Sequence, residues 1–223
     1  MKTSYAEKCK FIQQGSAIAV ELVKMQPKTI VDCGACDGLD SIIYAKLFPQ
    51  ATVYAIEARV DNFNEIIVNM RLFGCKNIIP INTCLSNKEG VSPFYHSYGE
   101  SGNKKEWETG NKSSSIRKPT GHLAFHNWCR FQEATTPTVR FDKLNITHVD
   151  FLHLDVQGAE LEVLGGFGLA LGTLKAVWLE VAKVELYEGQ PLATDIENFM
   201  RANNFSKISD TCHNRFGDQL WCR

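Results

Sequence analysis

The sequence predicts an α/β fold: a doubly wound, mostly parallel sheet with an insertion after the third strand. Short runs of β-branched and apolar residues alternate with segments of helical spacing between residues 29 and 82. The run at 51–57 is almost continuously apolar, which is typical of a strand buried on both faces of a sheet. Because this alternation implies right-handed crossovers, we expect a ligand site beyond the carboxyl ends of the strands.

The composition indicates one globular domain spanning residues 1–223, with 44% hydrophobic and 22% charged residues. The 24 basic and 25 acidic residues give a net charge of −1, so there is no global electrostatic case for binding nucleic acid or an anionic membrane. No apolar run approaches the roughly 20 residues needed to span a bilayer, and the N-terminus lacks the apolar region of a signal peptide. We therefore expect a cytoplasmic protein; the composition does not indicate its oligomeric state.

The eight cysteines are scattered through the chain, which favours free thiols over a disulfide framework. Cys33 and Cys36 have the spacing of half a redox or zinc site. However, a second Cys-x-x-Cys is missing, and the pair lies in a turn that requires small residues. We expect no metal site.

The N-terminal segment 1–28 is predicted to form one amphipathic helix over residues 4–25, ended by Pro27. Its apolar residues are spaced to form one face of the helix. We expect this helix to pack on the edge of the sheet or to cover the ligand site.

A strand over 29–35 then runs into a glycine turn and a helix that Asp40 or Ser41 could cap. Gly34 and Gly38 lack a Cβ atom, which would allow the backbone to approach a bound ligand closely. The turn is not the dinucleotide fingerprint, because the middle glycine of Gly-x-Gly-x-x-Gly is missing. The pattern predicts nucleotide binding, with a purely structural turn as the alternative.

A second strand at 51–57 is followed by a helix over 61–73, closed by Gly74, and by a third strand at 77–82. Glu57 stands at the carboxyl end of the second strand, where an acidic residue can accept hydrogen bonds from both ribose hydroxyls of a nucleoside. Asp32, at the end of the first strand, could hold the glycine turn through its backbone amides or contact the ammonium group of a ligand.

The segment 90–137 interrupts the alternation. It is rich in Ser, Gly, Asn and Lys but carries aromatic residues that a disordered linker usually lacks. Basic residues among aromatics could bind single-stranded nucleic acid, but neighbouring acidic residues nearly balance them. We interpret this insertion as a lid over the substrate. His122 and His126 lie within it.

The alternation resumes with a short strand at 138–142 and a buried fourth strand at 149–155. Asp155 falls at its carboxyl end, beside the predicted mouth of the site. Glu160 lies in the first turn of the helix that follows, where an acid is stabilised by the helix dipole and could simply cap the helix. A fifth strand at 174–181 ends near Glu180.

The chain closes with a helix over 195–203 and two short strands, near 207–209 and 219–222. We expect these last strands to form an antiparallel pair.

Four stretches carry a resemblance to a known family, in order between about residues 29 and 205. They are DCGACDG at 32–38, YAIE at 54–57, TVRFDKL at 138–144 and DFLHLDVQGAELEVLGG at 150–166. Together they resemble the FkbM-type methyltransferases, and the last stretch is the most specific. The resemblance implies a class I (Rossmann-like) methyltransferase fold, S-adenosylmethionine as cofactor, and O-methylation of a hydroxyl on a sugar or small natural product.

The resemblance also implies residue roles: Gly34 and Gly38 face the methionine part of the cofactor, Glu57 faces the ribose, and Ser115 belongs to a serine-bearing loop ahead of the acceptor site. The full set that we assign to cofactor binding is Asp32, Gly34, Ala35, Asp37, Gly38, Glu57, Ala58, Ser86, Ser115 and Asp155. Two positions depart from the family pattern. His153 stands where the family usually has Lys, and is expected to point into the sheet or its flank; Gln157 stands where the family usually has Glu.

For catalysis, Asp155 is the first candidate to orient or deprotonate an acceptor hydroxyl. His122 is the second catalytic candidate, and His126 is an alternative base, because histidine titrates near neutral pH. Glu180 could line the same mouth. Two other functions remain open: a non-catalytic nucleotide-binding or interaction module of the same fold, and a nicotinamide-dependent oxidoreductase, which the missing glycine disfavours.

Overall fold

The computed structural model describes residues 4–99 and 110–223, and within these ranges the chain forms ten strands and seven α-helices. The strands are β1 (Thr29–Cys33), β2 (Thr52–Glu57), β3 (Ile78–Asn82), β4 (Cys84–Leu85), β5 (Gly90–Tyr98), β6 (Arg130–Val139), β7 (Phe151–Leu154), β8 (Ala176–Ala182), β9 (Ser206–Asp210) and β10 (Phe216–Cys222). The helices are α1 (Tyr5–Gln14), α2 (Ala19–Met25), α3 (Leu39–Leu47), α4 (Val60–Leu72), α5 (His122–Phe125), α6 (Glu160–Gly165) and α7 (Ala193–Ala202).

The main sheet has seven strands in the order β3-β2-β1-β7-β8-β10-β9. All neighbours are parallel except β10, which runs antiparallel to both β8 and β9. The predicted doubly wound α/β fold and the antiparallel pair at the end of the chain are confirmed. Alternate strand residues enter two separate hydrophobic clusters, with Val31 and Leu152 in one and Ile30 and Phe151 in the other, so the central strands are buried on both faces.

The strand order reverses between β1 and β7, because the chain turns from β1 to β2 and β3 on one side and reaches β7 on the other. At such a switch point the connections after neighbouring strands diverge and leave a crevice at their carboxyl ends. Asp32 and His153 are directly opposite each other in the β1–β7 register, next to this crevice.

The insertion contains a second sheet that the sequence analysis missed. Strands β5 and β6 pair antiparallel over nine residues, and β4 adds to β6 in parallel. The separate short strand predicted at 138–142 is wrong: Thr138 and Val139 end β6, and a 3₁₀ turn follows at Phe141–Lys143. Small polar residues such as Ser92 and Ser97 occupy inward positions of β5, and this hides the hydrophobic alternation of the strand.

The N-terminal segment forms two helices instead of the single predicted helix. The chain breaks at Gly15, whose φ of 72° lies in the left-handed region. Helix α1 begins with a capping box, in which Ser4 Oγ accepts from the Glu7 amide and the Glu7 carboxylate accepts from the Ser4 amide. The Lys8 ammonium of the same helix donates to Asn69 Oδ1 over 2.8 Å and so holds α1 against α4.

Helix α3 begins differently from the prediction, because neither Asp40 nor Ser41 caps it. Gly38 is the residue before its first turn, and no side chain caps the helix there. The Ser41 hydroxyl instead donates to the Asp32 carboxylate. The later boundary is confirmed: α4 ends at Leu72, and Gly74 follows with a φ of 69°.

Candidate active site at the switch point

A cavity of about 150 Å³, open to solvent, lies at the carboxyl ends of β1, β2 and β7. Eight of the residues assigned to the cofactor site line it: Asp32, Gly34, Ala35, Asp37, Glu57, Ala58, Ser115 and Asp155. These residues come from three strand ends and the insertion, so the fold brings together positions that are far apart in the sequence. Gly38 and Ser86 lie outside this lining.

Glu57 is held at the end of β2 by two backbone amides. Its Oε1 accepts from the Arg59 amide over 2.7 Å, and its Oε2 accepts from the Cys36 amide over 2.9 Å. Burial raises the pKa of the Glu57 carboxyl to about 7. Each carboxylate oxygen has a second lone pair, so the fixed side chain can accept further hydrogen bonds from a ligand in the cavity.

One prediction was that Asp32 holds the glycine turn through backbone amides, and this prediction is wrong. The Asp32 carboxylate accepts from the Ser41 hydroxyl over 2.5 Å and pairs with His153 Nδ1 over 2.9 Å. Burial lowers the pKa of His153, but the hydrogen bond to Asp32 and its charge outweigh burial and raise that pKa to about 9. His153 lines the cavity, and its ring packs edge-on against Tyr44 of α3, on the flank of the sheet.

The two glycines of the turn are required for packing within the protein. A Cβ atom on Gly34, whose φ is +84°, would stand 1.8 Å from the carbonyl oxygen of Asp155. A Cβ atom on Gly38 would stand 3.1 Å from the Ile66 side chain. Gly34 therefore allows the turns after β1 and β7 to touch, and Gly38 allows α3 to begin against α4.

The turn after β7 carries a connected group of polar side chains. The Gln157 amide nitrogen donates to Asp155 Oδ1 over 2.7 Å and to Glu180 Oε2 over 2.9 Å, and the Tyr187 hydroxyl donates to Gln157 Oε1 over 2.8 Å. Burial raises the pKa of both carboxyl groups, and for Glu180 their mutual charge repulsion raises it further. Glu160 holds this turn, because its Oε1 accepts from the amides of Val156 and Gly158, which precede α6.

The insertion closes one side of the cavity with residues 111–116. The Ser115 hydroxyl donates to the Gln157 carbonyl over 2.7 Å, and Asn111 exchanges hydrogen bonds with Asn62 of α4. Arg59 adds a further anchor by donating to the Ser97 carbonyl and to the Ser114 hydroxyl. This part of the insertion is thus fixed to the main sheet from two directions.

Lys112 lies on the same segment and lines the cavity. Within the described part of the chain, no hydrogen bond or ion pair joins its ammonium group to another residue. Burial lowers the pKa of this group, but the charges of Asp37, Cys36 and Asp40 act against burial and leave the pKa raised. Among the described residues, the Lys112 ammonium group therefore has carboxylates as electrostatic neighbours but no direct hydrogen-bond partner.

The family model described as "Methyltransferase FkbM domain" matches residues 32–207. The chain belongs to this family. It is 31% identical over 182 residues to a protein named "2-O-methyltransferase NoeI" from Sinorhizobium fredii (strain NBRC 101917 / NGR234), which covers 77% of this chain and 70% of that one.

Solved structures similar to this member of the FkbM family share its fold. A putative O-methyltransferase from Klebsiella pneumoniae has a TM-score of 0.53 at 10% identity, over 99% of this chain and 81% of the other. The N-terminal domain of EvdMO1 with SAH bound has a TM-score of 0.52 at 10% identity, over 96% and 81% of the two chains. The protein is therefore a methyltransferase of the class I fold.

Besides Gly38, two predicted site residues of this FkbM-family protein lie outside the cavity lining. His122 is buried outside the cavity lining, with its ring 4.7 Å from that of His126 and 5.6 Å from that of Tyr187, and burial lowers its pKa to about 4. Ser86 is buried where β4 meets β6, with its amide donating to the Val139 carbonyl. The structure thus gives no support to His122 as the base or to Ser86 as a cofactor contact.

Three features of the site were not predicted from the sequence: the position of Lys112, the position of His153 at the cavity, and the link from Gln157 to Glu180. Only Gln157 and His153 carried a signal, because both depart from the family pattern. The eight cysteines are free thiols, and no group of three His, Cys, Asp or Glu residues in the described ranges could hold a metal ion. No helix in those ranges is long and apolar enough to cross a membrane.

Proposed function

We propose that this protein transfers a methyl group from S-adenosylmethionine to a hydroxyl oxygen of a small molecule or a glycan. The observation that carries the proposal is that Glu57 and Asp155 line one cavity at the switch point of a methyltransferase fold. The relative named as a 2-O-methyltransferase supports an oxygen acceptor. The insertion would act as the lid of this site, since residues 111–116 form one of its walls.

The residues present fit this cofactor. Glu57 has free lone pairs on a fixed carboxylate, which suits the two hydroxyls of a ribose. Lys112 offers an unpaired ammonium group, which suits the carboxylate of the methionine part. When bound, S-adenosylmethionine supplies an electrophilic methyl group on a positively charged sulfur, so the protein needs chiefly to align the acceptor and to take up its proton.

Asp155 would take up that proton. The residue lines the cavity, and burial raises the pKa of its carboxyl group. A base works best when its pKa lies near the operating pH, so this rise makes Asp155 a better acceptor for a hydroxyl proton than an exposed aspartate. Asp155 would also orient the acceptor oxygen toward the methyl group.

The proposal is tested by following methyl transfer from labelled S-adenosylmethionine to a panel of methyl glycosides by mass spectrometry. We expect at least one glycoside to be methylated, and Asp155→Asn to lower kcat by roughly 100-fold or more, while the Kd for S-adenosylhomocysteine changes less than about twofold. Glu133→Gln, which removes an exposed carboxylate of β6, is the matched control and should behave as the wild type.

Full turnover by Asp155→Asn with unchanged affinity would remove Asp155 from the mechanism. Calorimetry separates the alternative functions. If neither S-adenosylmethionine nor its demethylated product binds, the enzyme proposal fails, and if both bind but no acceptor is methylated, a binding module becomes the better account.

A further inference from the structure

The Gln157 side chain joins two carboxylates, those of Asp155 and Glu180. One amide nitrogen donates to Asp155 Oδ1 over 2.7 Å and to Glu180 Oε2 over 2.9 Å. Asp155 lines the cavity, whereas Glu180, in β8, is not among the residues that line it. The single amide is therefore the direct link between the carboxylate at the acceptor and a second carboxylate that does not line the cavity.

The chemistry of this link requires a carboxamide. An amide nitrogen carries two N–H donors, and here each donor has one carboxylate oxygen as its acceptor. The amide oxygen accepts from the Tyr187 hydroxyl over 2.8 Å, which fixes the amide in the orientation that directs both N–H groups at carboxylates. An ionised glutamate at this position would present no donor to either carboxylate.

The backbone supports the same arrangement. Gln157 has a φ of 55°, in the left-handed region that a non-glycine residue seldom adopts. The Ser115 hydroxyl donates to its carbonyl oxygen over 2.7 Å, and Glu160 caps the adjacent Val156 and Gly158 amides. The strained residue is thus held by neighbours on both sides, which is common where a site depends on the position of one side chain.

The surrounding charges leave the pair rich in negative charge. The groups whose charges act on Asp155 include two cations and one further carboxylate: His153, Lys112 and Asp32. The groups that act on Glu180, apart from Asp155, are two more carboxyls: Glu160 and Asp218. Glu180 therefore has no cation among its main electrostatic neighbours, and a proton on either member of the pair relieves repulsion in both.

We propose that Gln157 is a positioning residue that couples Asp155 and Glu180 into one proton-accepting pair for the acceptor hydroxyl, an inference that rests on the proposed function. In the transfer step the acceptor oxygen forms a bond to the methyl carbon as its O–H bond breaks. The proton goes to the carboxylate of the pair, and the electron pair of the broken sulfur–carbon bond stays on sulfur. The pair later releases the proton to solvent.

The test follows the two carboxyl groups directly, by carboxyl ¹³C NMR titration of the full chain with ¹³C-labelled Asp and Glu. In the wild type we expect the pair to take up one proton with a midpoint well above the ordinary range of about 4. Gln157→Glu replaces the bridge with a third carboxylate and should raise that midpoint by about one pH unit or more. Gln50→Glu, at an exposed site before β2, adds the same charge and should leave it unchanged.

Glu180→Gln tests the opposite sign. Removing one negative charge should lower the midpoint of Asp155, by about one pH unit, so the two variants must move the titration in opposite directions. The acid limb of the pH profile of methyl transfer to the best glycoside of the panel should follow the same two shifts. Binding of S-adenosylhomocysteine shows that each variant is folded.

Independent titration of Asp155 and Glu180 near pH 4 in the wild type would overturn the inference, as would unchanged midpoints in both variants. If the NMR midpoints shift as expected and the protein binds S-adenosylhomocysteine but methylates no acceptor, only the proposed function fails. Conversely, active methyl transfer with a pH profile that neither variant moves would leave the proposed function intact and remove the role of Gln157.

Discussion

At the scale of single residues, the site combines acids that the sequence could locate with cations that it could not. Glu57 and Asp155 were predictable, because each ends a strand of recognisable pattern at the edge where parallel strands present ligand sites. His153 sits inside a strand, where alternation alone does not say whether a side chain meets the core or a cavity. Lys112 lies in a polar segment without periodicity, and only the folded chain brings it to the site.

Lys112 yields a prediction about cofactor binding. Lys112→Met should weaken binding of S-adenosylhomocysteine by roughly ten- to one-hundred-fold, because the ligand's carboxylate loses a charged hydrogen-bond donor. Binding of 5′-methylthioadenosine, which lacks the amino-acid end, should change by less than about twofold. Calorimetry with both ligands measures the difference between these two effects.

The matched control for this prediction is Lys118→Met, an exposed position on the same segment. It should leave both affinities unchanged. Equal weakening of the two ligands by Lys112→Met would mean that Lys112 shapes the cavity in general and does not contact the carboxylate.

At the scale of secondary-structure elements, the sequence predicted the parallel core well and the insertion poorly. Strands β1, β2 and β7 are largely apolar runs; β1 ends at Cys33, β2 ends at Glu57, and Asp155 directly follows β7, so their type and order could be predicted from pattern. Strands β5 and β6 contain Pro93, Pro137 and several Ser and Thr residues. This composition is typical of a loop, so the sequence alone does not indicate strands here. Their stability comes from pairing with each other over a long range, which no local pattern encodes.

The contact between the turn after β1 and the turn after β7 depends on Gly34. Gly34→Ala should lower the free energy of unfolding by about 2 kcal/mol or more, because the new methyl group would collide with the Asp155 carbonyl at a φ that alanine avoids. Chemical denaturation measures the loss. Gly172→Ala is the control, since a Cβ atom there meets nothing within 4 Å, and its effect should stay within about 0.5 kcal/mol. A stability loss of similar size in both variants would contradict the role of this close contact.

At the scale of the whole molecule, two peripheral segments that are far apart in the sequence meet at the cavity. Helix α1 contributes Phe11, and the insertion contributes residues 111–116. Both are anchored to α4, through Lys8 to Asn69 and through Asn111 to Asn62, so one core helix supports both covers of the site. The parallel sheet positions the acids, and these covers limit the access of solvent to them.

This arrangement predicts that α1 contributes to cofactor affinity without being needed for the core. Phe11→Ala should weaken binding of S-adenosylhomocysteine by roughly five- to tenfold, because an apolar wall of the cavity is lost. Tyr5→Ala on the same helix is the control, since Tyr5 is 59% exposed and stacks on Phe73 outside the cavity lining. Calorimetry gives the affinities, and thermal unfolding without ligand should differ little between the two variants. If Phe11→Ala and Tyr5→Ala bind S-adenosylhomocysteine with equal affinity, α1 has no part in the site. The insertion would then be the only one of these two segments that contributes to cofactor binding.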